Sequence, residues 1–438
     1  MNACRVAIRV CAVVGLCALS TDAWAQRETG PFGNLFGGIQ GSDASQSLSL
    51  RWSTYAGHDD VIGEPALLAT VADDPYQRSG DYGGLSGSLA YSRGSRANRL
   101  SVFGSTNARA YNGTHDMAAP ALSTGTSFSM AAGKRTSLRG TLSAAYAPYS
   151  QLAPYISAGD ETTPFSFGSA VASRTSRAYG TDVGVSRQLS SRATLDLVGA
   201  WQRTQLEDGL AASESRTARV GLTQKLSEGL GVHAGYGYQD ARFGLQETPE
   251  LTTVHNIDVG VDFNRALSFS RRTRVSFGTG SSIAQTAAGG SQYFLNGQAT
   301  LAHQIGRSWS ASAAYNRSSH FAQGFRDLLF LDAFSANLGG QLATRVQLSS
   351  GLNYSFGTVG LGGAAPSIRS YTGSTRLQIA LSRVVALSAS YSYYTFDAPV
   401  SATTVPGISG QLGRHALMIG LNGWIPFIND MRPDRDSR

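Results

Sequence analysis

Side chains able to do covalent or metal chemistry are sparse and scattered along this chain. Of the seven histidines, His233 and His303 fall in segments patterned as strands, whereas His58, His115 and His320 fall in segments that read as loops. None stands at the serine and carboxylate spacing of a nucleophilic triad. The stretch from Ala56 to Gly80 carries His58, Asp59, Asp60, Glu64, Asp73 and Asp74. That is oxygen enough for calcium, but the spacing follows no calcium-ligand loop, so a solvated acidic loop is the simpler reading. Gly360 to Ala364 lacks the Lys-Ser/Thr ending of a phosphate loop and reads as a turn. All three cysteines, Cys4, Cys11 and Cys17, lie near the N-terminus. No catalytic residue, metal or cofactor is expected, and the chain reads as a non-enzyme.

Those cysteines sit inside a secretory signal. Arg5 and Arg9 make a basic start, Val10 to Leu19 is apolar, and Ala23-Trp24-Ala25 offers a cleavage site. Residues 1–25 are therefore expected to be removed, leaving a mature chain without thiol or disulfide. Leu16 before Cys17 is too large for a lipidation signal. Removing Arg5, Arg9 and Asp22 lowers the formal charge from +7 to +6. The arginines that carry this charge form no stripe with aromatics, which gives no reason to invoke nucleic acid.

Beyond the signal the composition is uniform, and what recurs is a hairpin. Apolar residues occupy alternate positions, a tight polar turn follows, and the alternation resumes. The turns open at Leu189, Leu226, Leu267, Ile305, Leu342 and Leu381, at spacings of 37, 41, 38, 37 and 39 residues. Two strands of about ten residues, one short turn and one longer loop fill that period. Leu230, Val232, Ala234 and Tyr236 share one face of a strand, as do Val346, Leu348, Leu352 and Tyr354, because successive Cβ atoms point to opposite sides. Aromatics recur on this face at one height: Tyr146, Tyr179, Trp201, Tyr236, Tyr293, Tyr315, Tyr354, Tyr371 and Tyr391. Such a belt suits a membrane interface.

The pattern predicts an all-β chain, a transmembrane antiparallel up-and-down barrel of about 18 strands (16–20). Eight short turns lie on one side and nine longer loops on the other, and closure is required because lipid cannot satisfy an open sheet edge. The predicted organisation is a signal at 1–25, an irregular segment at 26–45, the barrel at 46–427 and a charged periplasmic tail at 428–438. A soluble propeller also has repeats of about forty residues, but with four short strands per blade and two apolar faces.

Parity turns the intervening residues into the lumen. Asp182, Asp196, Arg219, Lys225, Asp258, Asp262, Arg274, Asn296, Gln298, Asn337, Gln347, Asn353, Arg376 and Gln378 are expected to line it, in a wall of Ser, Gly, Asn and Gln. Most of the wall is neutral, which suits polar solutes without strong charge selection. The longest loop, Ala147 to Ser176, holds Asp160 and Glu161. Folded inward, it makes an acidic constriction facing Arg139 and Arg219; folded outward, it is an ordinary exposed loop.

With Leu-Ser turns such as Leu189-Ser190 and Leu226-Ser227 feeding strands that end in Tyr, the span from Gln46 to Phe427 resembles Gram-negative outer-membrane porin-like barrels. It is closest in pattern to the barrels that accompany exopolysaccharide export. The resemblance covers most of the chain and rests on pattern, without a diagnostic motif; the chain ends eleven residues past Phe427, where many such barrels end on an aromatic. It implies outer-membrane lipid and the barrel-assembly machinery as partners. Three functions follow as expectations: a passive pore for hydrophilic, mainly neutral solutes, a polysaccharide-export component, or a plugged scaffold for adhesion or assembly.

Overall fold

The computed structural model describes residues 44–62, 80–95, 97–111, 119–147, 150–152, 170–172, 176–206, 212–244, 250–267, 270–285, 291–320, 328–360, 366–397 and 411–431. The expected leader, the segment before the first strand, Asp160, Glu161 and most of the acidic first loop lie outside these residues.

The strands in chain order are β1 (Ala44–Ile62), β2 (Gly80–Gly94), β3 (Asn98–Tyr111), β4 (Ala119–Ala131), β5 (Thr136–Ala147), β6 (Ser150–Leu152), β7 (Ala170–Ala172), β8 (Ser176–Gln188), β9 (Ala193–Leu206) and β10 (Ala212–Lys225). They continue as β11 (Leu230–Gly244), β12 (Glu250–Leu267), β13 (Ser270–Gln285), β14 (Ser291–Ile305), β15 (Trp309–His320), β16 (Leu329–Ala343), β17 (Val346–Val359), β18 (Ser367–Ala380), β19 (Val385–Asp397) and β20 (Gln411–Met431). Eighteen form one antiparallel sheet in which sequence neighbours pair, and β1 also pairs with β20, from Ala44 with Met431 to Ile62 with Gly413. The sheet is thereby a closed up-and-down barrel, and its backbone groups meet one another rather than lipid. β6 and β7 pair separately, inside the long connection between β5 and β8.

The short turns are built from their own side chains. In the β8–β9 turn the Ser190 hydroxyl accepts hydrogen bonds from the Arg192 and Ala193 N–H groups at 3.2 and 3.0 Å, while the Leu189 N–H donates to the Ala193 carbonyl at 2.9 Å. Ser382 does the same for Val384 and Val385. This is the physical content of the Leu-Ser signature: a local hydroxyl satisfies backbone donors that a tight turn leaves open. Gly306 in the β14–β15 turn has φ of 64°, which a side chain would strain.

Register and exposure separate the two faces. Leu142, Val183, Val259, Leu295 and Ile419 stay largely exposed, Val259 at 65%. By contrast Tyr55, Tyr82, Ala241, Val254, Leu329, Leu331, Val359, Ile368, Ala380, Ala386, Tyr394, Ala416 and Trp424 are buried, and each occupies the opposite parity of its strand. Side chains on that second face reach past a neighbouring strand: the Tyr55 hydroxyl on β1 donates to Asn107 on β3 at 2.7 Å, and Arg219 on β10 pairs with Asp258 on β12. Such contacts occur where side chains converge, on the concave inner surface. The exposed apolar face is therefore the outside, a band that lipid accommodates and water does not.

Four local readings change. His58 and His320 belong to strand ends, because β1 runs to Ile62 and β15 ends at His320, and His58 Nδ1 lies 2.8 Å from Asp81 Oδ1 on β2. Strand pairing also extends past the limits of Gln46 and Phe427, to Ala44 and Met431. Phe427 itself has no cross-strand partner on β1, since the register shifts there as Leu48 meets Ile428 and Ser49 meets Pro426; Pro426 lacks the N–H for a regular ladder. The inner wall, finally, is not uniformly Ser, Gly, Asn and Gln, since Tyr55 and Tyr82 meet edge to face at 6.2 Å, and Tyr394 and Trp424 are buried on the same side.

Candidate functional site: the inner wall of the barrel

The densest constellation of charged side chains on the inner wall lies where a ladder is interrupted. β12 pairs with β13 through Thr253 to His255, and regular pairing resumes only at Asp262, with a register shift between. Hydroxyls from the outer face of β13 take over some of the backbone bonding: the Val261 N–H donates to Thr279 Oγ1 at 3.2 Å and Ser281 Oγ donates to the Ile257 carbonyl at 2.6 Å. Irregularities of this kind re-aim side chains.

Asp258 and Asp262 are four residues apart on a strand and so share the inner face. Between them stands Gly260, and across the β11–β12 ladder Gly260 faces His233. The imidazole lies over the glycine, where a methyl carbon would come within 2.8 Å of Cε1. From that position His233 Nδ1 is 2.7 Å from Asp262 Oδ2 and Nε2 is 3.2 Å from Asp258 Oδ1. The guanidinium of Arg219 completes the cluster on Asp258 Oδ2. Gly280 leaves the space that the Asp258 carboxylate occupies from the β13 side.

Amides extend this wall. Asn296 Nδ2 donates to Ser282 Oγ at 2.5 Å, while its Oδ1 is buried without a hydrogen-bond partner. Gln298 lies beside Gly278, and Asn256 beside Gly237. The arrangement offers donors, acceptors and paired side chains, and among the described residues no serine or threonine hydroxyl bonds His233, whose partners are Asp258 and Asp262. The described residues contain no group of three His, Cys, Asp or Glu suited to a metal ion.

Of the expected lumen residues, the structure brings Arg219, Asp258 and Asp262 together, with Asn296 and Gln298 alongside. Asp182 accepts a hydrogen bond from Thr141 across β5 and β8, and Asp196 is paired in register with Ser186 and Gly221. Lys225 and Arg274 lie near the short-turn ends of β10 and β13, away from the cluster. Asn337, Gln347, Asn353, Arg376 and Gln378 form a separate polar sector on β16–β18, in which Gln347 faces both Gln341 and Gln378. Arg376 Nε there is buried without a hydrogen-bond partner. Arg139 lies across Gly184, where a side chain would block it.

Sequence reasoning missed His233 as a cluster member, and also the inward aromatics Tyr55, Tyr82, Phe103, Tyr394 and Trp424. A signal existed: His233, Asp258 and Asp262 have inward parity, but their juxtaposition depends on the β11–β12 register.

The outward aromatics carry a second pattern, legible only in register. Tyr236 pairs with Ile257, and its hydroxyl lies 2.8 Å from Nδ1 of His255, two residues nearer the long loops. Tyr391 bears the same relation to His415 at 2.5 Å, and the Tyr315 hydroxyl donates to Asp332 at 2.5 Å. Trp201 Nε1 donates to Glu214 at 3.0 Å. Each polar tip thus finds a polar group on the next strand, one step toward the loops. Tyr179, Tyr293, Tyr354 and Tyr391 are exposed, and register places Tyr146 and Tyr371 on the same outer face.

No protein-family profile and no curated protein matches the chain. Among solved structures it is similar to OccK11 (OpdR) of Pseudomonas aeruginosa, at 11% identity over 89% of this chain and 100% of that one, with a TM-score of 0.45. It is also similar to OccAB4 of Acinetobacter baumannii, at 11% identity over 88% of this chain and 99% of that one, with a TM-score of 0.43. The siderophore receptor PirA of Acinetobacter baumannii aligns at 7% identity over 88% of this chain and 81% of that one, with a TM-score of 0.45. Likeness at this level assigns no solute. By its own pairing and its two faces, this chain is a closed 18-stranded antiparallel β-barrel of the bacterial outer-membrane type.

Proposed function

We propose that the protein is an outer-membrane pore through which hydrophilic, mainly neutral solutes diffuse, exported by residues 1–25 and inserted by the barrel-assembly machinery. The observation that carries this reading is the opposite chemistry of the two faces of a closed barrel wide enough for an aqueous lumen. Leu142, Val183, Val259, Leu295 and Ile419 look outward and stay exposed, and Asp182, Arg219, His233, Asp258, Asp262, Asn296 and Gln298 look inward. In the inner cluster Arg219 is paired with Asp258 and His233 lies between two carboxylates, so the charged groups are tied to one another, which favours solutes chosen by hydrogen bonding. Asp160 and Glu161, with Arg139, remain the proposed constriction, and the outer tyrosines and Trp201 the proposed interfacial belt. Purified full-length protein in planar bilayers is expected to give discrete conductance steps. A correctly folded, inserted and electrically silent barrel would remove the proposal and favour a plugged scaffold.

Export of a polysaccharide is the second reading, favoured by the inward amides of β16–β18, Asn337, Gln347, Asn353 and Gln378, which can hydrogen-bond sugar hydroxyls. Deleting the gene should then abolish surface polymer and leave small-solute uptake unchanged; normal polymer counts against it.

A further inference from the structure

Each of the eight short turns carries a lysine or arginine in its tip or within two residues of it, and Glu228 is the one carboxylate in the sequence of those tips. Exposed apolar side chains recur beside the charge, Leu189 before Arg192, Ile305 before Arg307 and Leu381 before Arg383, and the arginines are exposed as well. An exposed leucine is ordinary taken singly. Repeated beside a cation around one rim, it marks a level in the membrane, because the leucine is best placed in hydrocarbon and the arginine among phosphates. The boundary between acyl chains and headgroups satisfies both.

Between the β4–β5 and β8–β9 turns this rim opens into a polar cleft of about 350 Å³. Lys134, Arg135 and Arg187 line it together with Thr136, Gln188 and Leu189, and no carboxylate does. The Gln188 N–H donates to the Arg135 carbonyl at 2.7 Å, which holds the two turns together. Arg187 is paired in register with Thr136 and Leu195, and the next outward pair above it is Leu138 with Val185. All three cations are exposed, and among the described residues none has a carboxylate or hydrogen-bonding partner for its side chain. Three positive charges thus converge on a cleft whose outer side continues into the lipid-facing band, which is the placement of an anionic headgroup below its own acyl chains.

We propose that the short-turn rim seats in the headgroup layer of the periplasmic leaflet and that this cleft binds the phosphate of an anionic phospholipid on Lys134, Arg135 and Arg187, with the acyl chains rising along Leu138 and Val185. A soluble polyanion would suit the charges but not the leucines beside them, and a second barrel docked rim to rim would oppose like charges. The site rests on the outer face meeting lipid, so the test separates the two. Full-length protein is inserted into vesicles of phosphatidylcholine doped with phosphatidic acid, extracted in neutral detergent, and its retained lipid counted by native mass spectrometry. Retention of phosphatidic acid over phosphatidylcholine by about tenfold or more is expected. The double variant R135Q/R187Q should lose most of that preference, and R135K/R187K, which keeps the charge, should retain it. R242Q/R369Q, an equal loss of charge at the loop end, should also retain it. Insertion with no headgroup preference, a preference undiminished in R135Q/R187Q, or an equal loss in R242Q/R369Q would overturn the site alone. So would tight binding of dextran sulfate that R135Q/R187Q abolishes while the lipid preference stays, which would assign the cations to a soluble polyanion. Failure of the wild-type chain to insert would overturn both the site and the membrane reading beneath it.

Discussion

His233 lies across the β11–β12 ladder from Gly260 and, from above that glycine, reaches Asp262 with Nδ1 at 2.7 Å and Asp258 with Nε2 at 3.2 Å. Two carboxylates four residues apart are thereby joined by one imidazole from the next strand, and Arg219 adds a positive charge from the strand beyond. The charged groups of the lumen are here tied to one another, Arg219 to Asp258 and both carboxylates to one imidazole, which links the pairing of strands to what the pore should discriminate.

Replacing Asp258 by Ala leaves Arg219 without its carboxylate and His233 with one partner. The pore should become more permeable to chloride relative to potassium, read as a shift in reversal potential across a salt gradient. Because Arg219 is 55% exposed but Asp258 and His233 are largely buried, stability should fall by about 1–3 kcal/mol, mostly from the imidazole left with one partner. An unchanged reversal potential would mean that the cluster does not face the ion path.

Gly260→Val should be far more damaging than its size suggests. A methyl carbon there would meet the Thr279 carbonyl oxygen and the His233 ring. Loss of roughly 1–3 kcal/mol is expected from overpacking, seen as a lower urea midpoint for the refolded barrel. His233→Ala in the same background should recover part of that loss, since one of the two obstructions is gone.

The faces can be tested with one charge placed on each. Val259→Arg puts a guanidinium near the middle of the outer face of β12 and should cost about 2–4 kcal/mol in a bilayer. Gln347→Arg puts the same group into the lumen and should cost little. Equal costs in vesicle unfolding experiments would show the two faces to be misassigned.

Tyr315→Phe removes the hydroxyl that donates to Asp332 at 2.5 Å and leaves that carboxylate with Arg317 at 3.9 Å. A loss of about 0.5–1.5 kcal/mol is expected. Leu338→Ile, on the same outer face but without a polar tip, is the control and should leave the unfolding midpoint nearly unchanged.

Much of this molecule was legible in the order of its residues, for a local reason. A strand has a side-chain period of two, so Leu230, Val232 and Tyr236 announce a common face wherever the strand finally lies. Ser190 and Ser382 bond to backbone groups two and three residues ahead, so the turns that divide the strands are also written locally. Eighteen strands and the outward direction of the leucines follow from these two facts and from the exclusion of open edges by lipid. Register and convergence are different in kind, since they join residues far apart in the chain. That His233 faces Gly260, that Arg219 reaches over β11 to Asp258, that Tyr391 meets His415 and that Phe427 sits at a shift in register were decided by the pairing of whole strands and the curvature that closes them. Tyr55 and Tyr394 are inward by parity, but what they meet across the lumen depends on every strand between, and no local pattern carries that sum.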